Sequence, residues 1–322
     1  MAVYTKIKTD ELINFLKLYD LDELISWQGI AEGVENSNFF IETKSDKYIL
    51  TIYEKRVAKT DLPFFLNLMG HLNSNQFPCP KPIFNIKGKL LNSIQDKPAA
   101  LFSFLNGSSV KNPSIHHCYQ AGSYLSIIHK KSSSFSMKRK NKLSAEGWKE
   151  LFLKLDNRIN SIDRDLFSII TEEFKYISNN WPENLPSGII HADLFPDNVF
   201  FEDNDISGVI DFYFACNDFL AYDIAIAINA WCFNDTNNLE IHKSAALLNG
   251  YQQFRSLDKI EKQKFPILVR GAALRFLLTR TYDSIHLVDG ALVKPKNPIE
   301  FLDKLKYIRN ISSFEEYIND KS

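Results

Sequence analysis

Apolar positions along the first third of the chain recur in two rhythms. From Thr9 to Tyr19 they fall at Leu12, Ile13, Leu16 and Leu18 after an acidic start, which predicts an amphipathic N-terminal helix. Short β-branched and aromatic runs at Phe39–Thr43 and Lys47–Tyr53 predict strands. Helical spacing returns over Pro63–Asn73, where Phe64, Phe65, Leu68, Met69 and Leu72 form a core-facing stripe. The proline-punctuated link Phe77–Pro82 then leads into a predicted hairpin, Ile83–Ile86 against Leu90–Ile94 around Lys87-Gly88. A buried strand, Ala99–Leu105, closes this part and ends in Asn106-Gly107.

Beyond Ser114 the 3.6-residue rhythm dominates. Tyr119–Lys130, Trp148–Ile159 and Leu166–Trp181 predict helices, and the Ser-rich basic stretch Lys130–Leu143 predicts an exposed loop. His129, in a last turn where cations are favoured, is placed to cap or brace the polar region around residues 188–211. A helix entered at Asp223 is apolar on every side and must be buried, with Asp223 expected as a capping acid. The apolar helix Val269–Arg280 carries Arg270, Arg275 and Arg280.

Composition narrows the class. A chain of 322 residues, 45% hydrophobic and 24% charged, can bury real cores, so disorder is not expected. Lys and Arg number 38 against 39 Asp and Glu, so the net charge of -1 gives no reason to expect nucleic acid or an anionic membrane as partner. A small-molecule substrate fits better. Cys79, Cys118, Cys216 and Cys232 are scattered without metal-ligand spacing, Met1 to Asp10 has no apolar core of signal-peptide length, and no run of 18 apolar residues occurs. The expectation is a soluble cytoplasmic protein; its oligomeric state is left open.

One segment interrupts the apolar pattern with chemistry. Gly188 to Asp211 reads as two short strands, Ile189 to Ile190 and Val199 to Phe201, around a polar loop, with a third strand, Ser207 to Ile210, ending on an acid. His191-Ala192-Asp193 followed by Asn198 and then Asp211 reproduces the kinase spacing H-x-D-x-x-x-x-N with a strand and a further Asp. Phosphoryl transfer needs a carboxylate to orient a hydroxyl and oxygen ligands for Mg2+ on the nucleotide phosphates. Asp193 is the candidate catalytic residue, and Asn198 and Asp211 are the candidate metal ligands. His191 is expected to brace the loop.

The remaining site expectations depend on that spacing. Gly29 and Gly33 with Asn36 and Ser37 form a turn whose backbone could approach phosphates closely. Adenine would lie against the strand around Phe102 to Leu105, which makes Phe102 and Phe104 candidate nucleotide contacts. Thr51 stands where a kinase strand carries its phosphate-binding Lys, so Lys47 or Lys55, on the same strand face, could substitute. Asp218 would be a capping acid or part of an acceptor site, and one of Arg270, Arg275 and Arg280 could clamp an acceptor carboxylate.

With these strings assembled, the chain resembles the aminoglycoside phosphotransferase-like kinases. The resemblance rests on Gly29 to Phe39, Tyr48 to Arg56, His191 to Asn198, Val209 to Asp218 and Arg270 to Arg280; the last two narrow it to the homoserine kinases. It implies an α+β, two-lobed protein-kinase-like fold. An antiparallel-sheet nucleotide-binding lobe would span 1–105, and a mostly helical catalytic and substrate-binding lobe 106–322. It implies ATP and Mg2+ as cofactors and phosphorylation of L-homoserine in threonine biosynthesis, with Arg275 or Arg280 and Asp218 as the candidates to pair that substrate's carboxylate and ammonium. Kinases of choline, ethanolamine or methylthioribose, and a catalytically silent nucleotide-binding regulatory module, are the alternatives.

Overall fold

A computed structural model of the chain describes residues 5–30, 36–54, 57–155, 157–286 and 296–319. Its regular elements begin with α1 (Thr9–Leu16), β1 (Leu24–Ile30), β2 (Asn36–Thr43), β3 (Lys47–Tyr53), α2 (Leu62–Ser74), β4 (Asn92–Ile94) and β5 (Lys97–Ser103). They continue with α3 (Ile115–Lys131), α4 (Ala145–Leu153), α5 (Leu166–Asn180), β6 (Ser187–Ile190), β7 (Val199–Glu202), β8 (Asp205–Val209) and β9 (Cys216–Phe219). The last are α6 (Leu220–Trp231), α7 (Ile241–Gln252), α8 (Lys259–Ile285) and α9 (Ile299–Ile308). The chain forms two compact units, one of residues 1–107 with 207–213, the other of residues 108–206 with 214–322. One is built on a sheet and the other on helices, the division of an α+β kinase-like fold.

The first unit is an antiparallel sheet in the order β1-β2-β3-β5-β4. Strand alternation sends Phe39 and Ile41 of β2 and Leu50 and Ile52 of β3 to one face. There they bury against Leu12, Phe15 and Leu16 of α1. The expected hairpin of Ile83–Ile86 with Leu90–Ile94 does not form. Asn85 instead closes a local turn, its side-chain oxygen accepting from the Lys87 and Lys89 amides. A side chain that satisfies the backbone locally removes the need for a ladder. The hairpin lies one step later, where β4 pairs with β5 through Gln95 and Asp96, both left-handed at φ 50° and 60°.

The second unit is helical around a short ribbon, β6 paired antiparallel with β9. The four residues Cys216–Phe219 are too few to show a strand period in the sequence. Two further expectations change. The stretch Trp148–Ile159 is not one helix: α4 stops at Leu153, and a separate 3-10 turn covers Asn157–Ser161. Part of the basic Lys130–Leu143 segment is also held, since Arg139 exchanges backbone and side-chain hydrogen bonds with Asn217. Helices α3 and α7 cross in close contact. A Cβ on Gly122 would lie 2.0 Å from the Leu247 carbonyl oxygen, and one on Gly250 2.0 Å from that of Tyr119, so the crossing requires glycine at both positions. No helix among the described residues is long and apolar enough to cross a membrane.

Candidate active site

In the helical unit, β6 delivers the chain into the polar loop, where Ala192 is left-handed at φ 65°. A non-glycine residue in that region costs free energy and persists only when its surroundings hold it. Two buried side chains do so. Asp223 accepts the His191 amide at 2.7 Å and the Ala192 amide at 2.8 Å, and Arg275 Nη1 donates to the Ala192 carbonyl at 2.7 Å. Burial alone would push the Asp223 carboxyl up. Hydrogen bonds from His129 and the His191 amide outweigh that and hold it below the usual carboxylate range. Asp223 is therefore not a helix cap: Phe219 occupies the α6 N-cap, and the carboxylate is turned instead toward the orphan amides of the loop.

Asp193 comes directly after. Its amide donates to His191 Nδ1 at 3.2 Å, and Asn198 Nδ2 donates to both its carbonyl (2.8 Å) and its carboxylate (3.2 Å). Burial raises its carboxyl above the ordinary value, against the charges of Arg275, His191 and Lys296. The result is a stronger base than a solvated Asp, fixed by its neighbours. With the nitrogen of the Asn198 amide committed to Asp193, its oxygen is the atom left for a cation. Amide oxygens and carboxylates such as that of Asp211 are hard donors, which suit Mg2+ and not a softer metal.

The predicted acceptor residues separate. Arg280 is bound by Glu300 (2.5 Å) and the Asn297 carbonyl (3.1 Å), and Arg270 makes a two-pronged pair with buried Glu173 (2.6 and 2.8 Å). The Arg275 guanidinium and the Tyr222 hydroxyl are both buried and close enough to interact. Asp218 accepts from Asn141 (2.6 Å) and from the Phe219 amide (2.7 Å). Burial nonetheless pushes its carboxyl up, opposed by those bonds and by the Arg275 charge. Asp218 and Arg275 thus sense each other electrostatically. The sequence gives no sign of Asn141, which sits in the basic segment that reads as solvated loop.

In the sheet unit, Asn36, Asn38 and Thr51 lie on the face opposite the α1 core, with Thr51 Oγ1 donating to Asn38 Oδ1 at 2.8 Å. Ser37 alternates to the other face. It is fully buried, donates to Glu54 at 2.8 Å and accepts the Thr5 amide at 2.9 Å. Gly29 is in β1 opposite Phe39; Gly33 and Lys55 lie outside the described residues. Phe102 is buried in β5, whereas Phe104 is 37% exposed just beyond it. Phe104 lines an open cavity of about 550 Å3 with Lys47, Tyr48, Lys81 and Asn106. Asp211, like Ala192, is left-handed, at φ 61°. Near it, the Tyr53 and Tyr213 hydroxyls meet at 3.2 Å.

Comparison with known proteins agrees with this geometry. The model of the phosphotransferase enzyme family (APH) matches residues 26–257. The chain is 50% identical to a homoserine kinase of Agrobacterium fabrum over 98% of each chain. It is 48% identical to one of Rhodopseudomonas palustris over 98% of this chain and 97% of that one. Among solved structures, an amicoumacin kinase in complex with AMP-PNP and Ca2+ aligns with a TM-score of 0.73 at 15% identity, covering 96% and 95% of the two chains. A spectinomycin phosphotransferase aligns with a TM-score of 0.69 at 15% identity over 98% of each. An α+β fold, a hydrogen-bonded Asp-Asn loop and near-full-length identity all lead to one conclusion: the chain belongs to the phosphotransferase enzyme family, alongside these homoserine kinases.

Proposed function

We propose that this protein transfers the γ-phosphoryl group of ATP to the hydroxyl of L-homoserine, giving O-phospho-L-homoserine and ADP, a step of threonine biosynthesis. The observation that carries the reading is identity of 48 to 50% to homoserine kinases over essentially the whole chain. Asp193 accepts a hydrogen bond from the homoserine hydroxyl and takes its proton as the new P–O bond forms. Its raised carboxyl suits it to that task. Asn198 and Asp211 would each offer an oxygen ligand to Mg2+, which would neutralise charge on the phosphates. Asn36 and Asn38, on the face of β2 opposite the α1 core, meet the nucleotide phosphates. Phe104 provides apolar contact for the base.

Homoserine carries an ammonium and a carboxylate, so its pocket must offer both signs. Asp218 is assigned to the ammonium. Of the α8 arginines, Arg275 is assigned to the carboxylate, because Arg270 and Arg280 are engaged by Glu173 and Glu300. The test is ADP release from Mg-ATP across L-homoserine, choline, ethanolamine, methylthioribose and L-serine, with Asp193→Asn alongside. Saturable turnover on homoserine, reduced about 10³-fold in the variant, is expected. Turnover only on another acceptor would overturn the substrate, and turnover surviving in Asp193→Asn would overturn the base.

A further inference from the structure

The carboxylate that holds the catalytic loop is itself the inner end of a buried chain of hydrogen bonds. Asp223 Oδ2 meets His129 Nε2 at 2.9 Å, and His129 Nδ1 meets the Tyr251 hydroxyl at 2.8 Å. Tyr251 is bonded by Arg255 Nη1 at 3.2 Å, and Arg255 Nη2 is bonded to Glu261 at 2.8 Å. Glu261 is fully buried and completes the capping box at the start of α8, accepting the Asp258 amide at 3.0 Å. The close crossing of α3 and α7 at Gly122 and Gly250 is what brings His129 and Tyr251 within reach. None of these residues touches the reacting atoms in the proposed mechanism.

The direction of this chain is set by its donors. A guanidinium only donates, so the Tyr251 oxygen accepts from Arg255. Burial keeps the Tyr251 proton in place by raising its pKa far above the ordinary phenol value. Among the described residues its hydrogen has His129 Nδ1 as acceptor, so Nδ1 carries no hydrogen. The ring hydrogen is then on Nε2, pointing at Asp223. The carboxylate receives His129, the His191 amide and the Ala192 amide together, and each later link depends on Arg255 having fixed the polarity at the outer end.

We propose that Tyr251 and Arg255 are positioning residues for phosphoryl transfer: they lock His129 in the Nε2–H tautomer, and so hold Asp223 on the strained backbone that presents Asp193. The kinetic part rests on the phosphotransferase reading; the tautomer part stands without it. Nitrogen NMR of 15N-histidine-labelled protein, with His129→Gln for assignment, should show His129 Nδ1 as a hydrogen-free acceptor and Nε2 as protonated. The reverse pattern would overturn the proposal. Arg255→Met and Tyr251→Phe should each lower kcat about 10-fold, with KM for both substrates within about 2-fold, and Arg255→Lys should recover most of it. Because the links act in series, the double variant should be no slower than the worse single one. Losses that multiply, or an unchanged kcat in Arg255→Met, would overturn it. An enzyme inactive on homoserine but showing the Nε2–H tautomer would overturn the substrate reading only.

Discussion

Arg275 and Ala192 are joined by a single 2.7 Å hydrogen bond, from a guanidinium that is 2% exposed to the carbonyl of a left-handed residue. The bond satisfies a buried carbonyl and fixes the residue immediately before Asp193. Arg275→Met should therefore lower kcat about 100-fold and, since Arg275 is assigned to the homoserine carboxylate, also raise the homoserine KM. It should also destabilise the protein by about 2 kcal/mol, the cost of a buried acceptor left without its donor. Arg275→Lys should rescue little, because an ammonium lacks the planar fork. Steady-state kinetics with urea unfolding separate the two effects.

Asp223 should make stability depend on pH in a defined sense. Its folded carboxyl is held below the unfolded value of about 3.9. Its contribution is therefore complete above that value and is lost as pH falls through the folded one. Asp223→Asn should cost about 3 kcal/mol at pH 7, and the gap from the parent protein should narrow below about pH 4. Urea midpoints at pH 7 and pH 3 decide this; a gap unchanged between them would contradict it.

Glu173 is fully buried and receives both Arg270 and Arg309, the latter at 2.6 Å. Neutralising it removes the counter-charge of Arg270 and leaves Arg309 with Glu172 at 3.1 Å. Glu173→Gln should destabilise by about 3 kcal/mol. Surviving folded enzyme should keep both KM values within about 2-fold, since neither arginine is needed to hold substrate. A raised homoserine KM would return Arg270 to the acceptor pocket.

Ser37 distinguishes a phosphate contact from a tether. Its hydroxyl joins Glu54 to the Thr5 amide, and Glu54 in turn accepts from Lys97 at 2.6 Å. Ser37→Ala should cost about 1 kcal/mol of stability and leave the KM for ATP unchanged. Asn38→Ala, on the opposite face, should raise that KM. The reverse result would put Ser37 back against the nucleotide.

Local signals mislead or fall silent for different physical reasons. Lys87-Gly88 is a strong turn signal and draws the expected hairpin to the wrong place, because Asn85 satisfies that turn alone. Asn141, Tyr251 and Arg255 leave no trace in the sequence, because a lone polar residue on a helix or loop reads the same whether it is solvated or committed to a partner far along the chain. His129 is legible as a brace through its place at a helix end, but its partners are not.

Local spacing determined the hydrogen-bonded His191–Asn198 loop, the helical and strand rhythms and the family, because these are written within a few residues of one another. His-x-Asp with Asn five residues on needs no distant information. Tertiary structure alone decided that Asp223 serves the loop and not its own helix, that Ser37 is tied to Glu54 and the Thr5 amide, and that Arg275 rather than Arg280 reaches the Ala192 carbonyl. Each of those outcomes depends on which buried donor meets which acceptor across 17 to 83 positions of sequence, and only helix and sheet packing fixes that pairing.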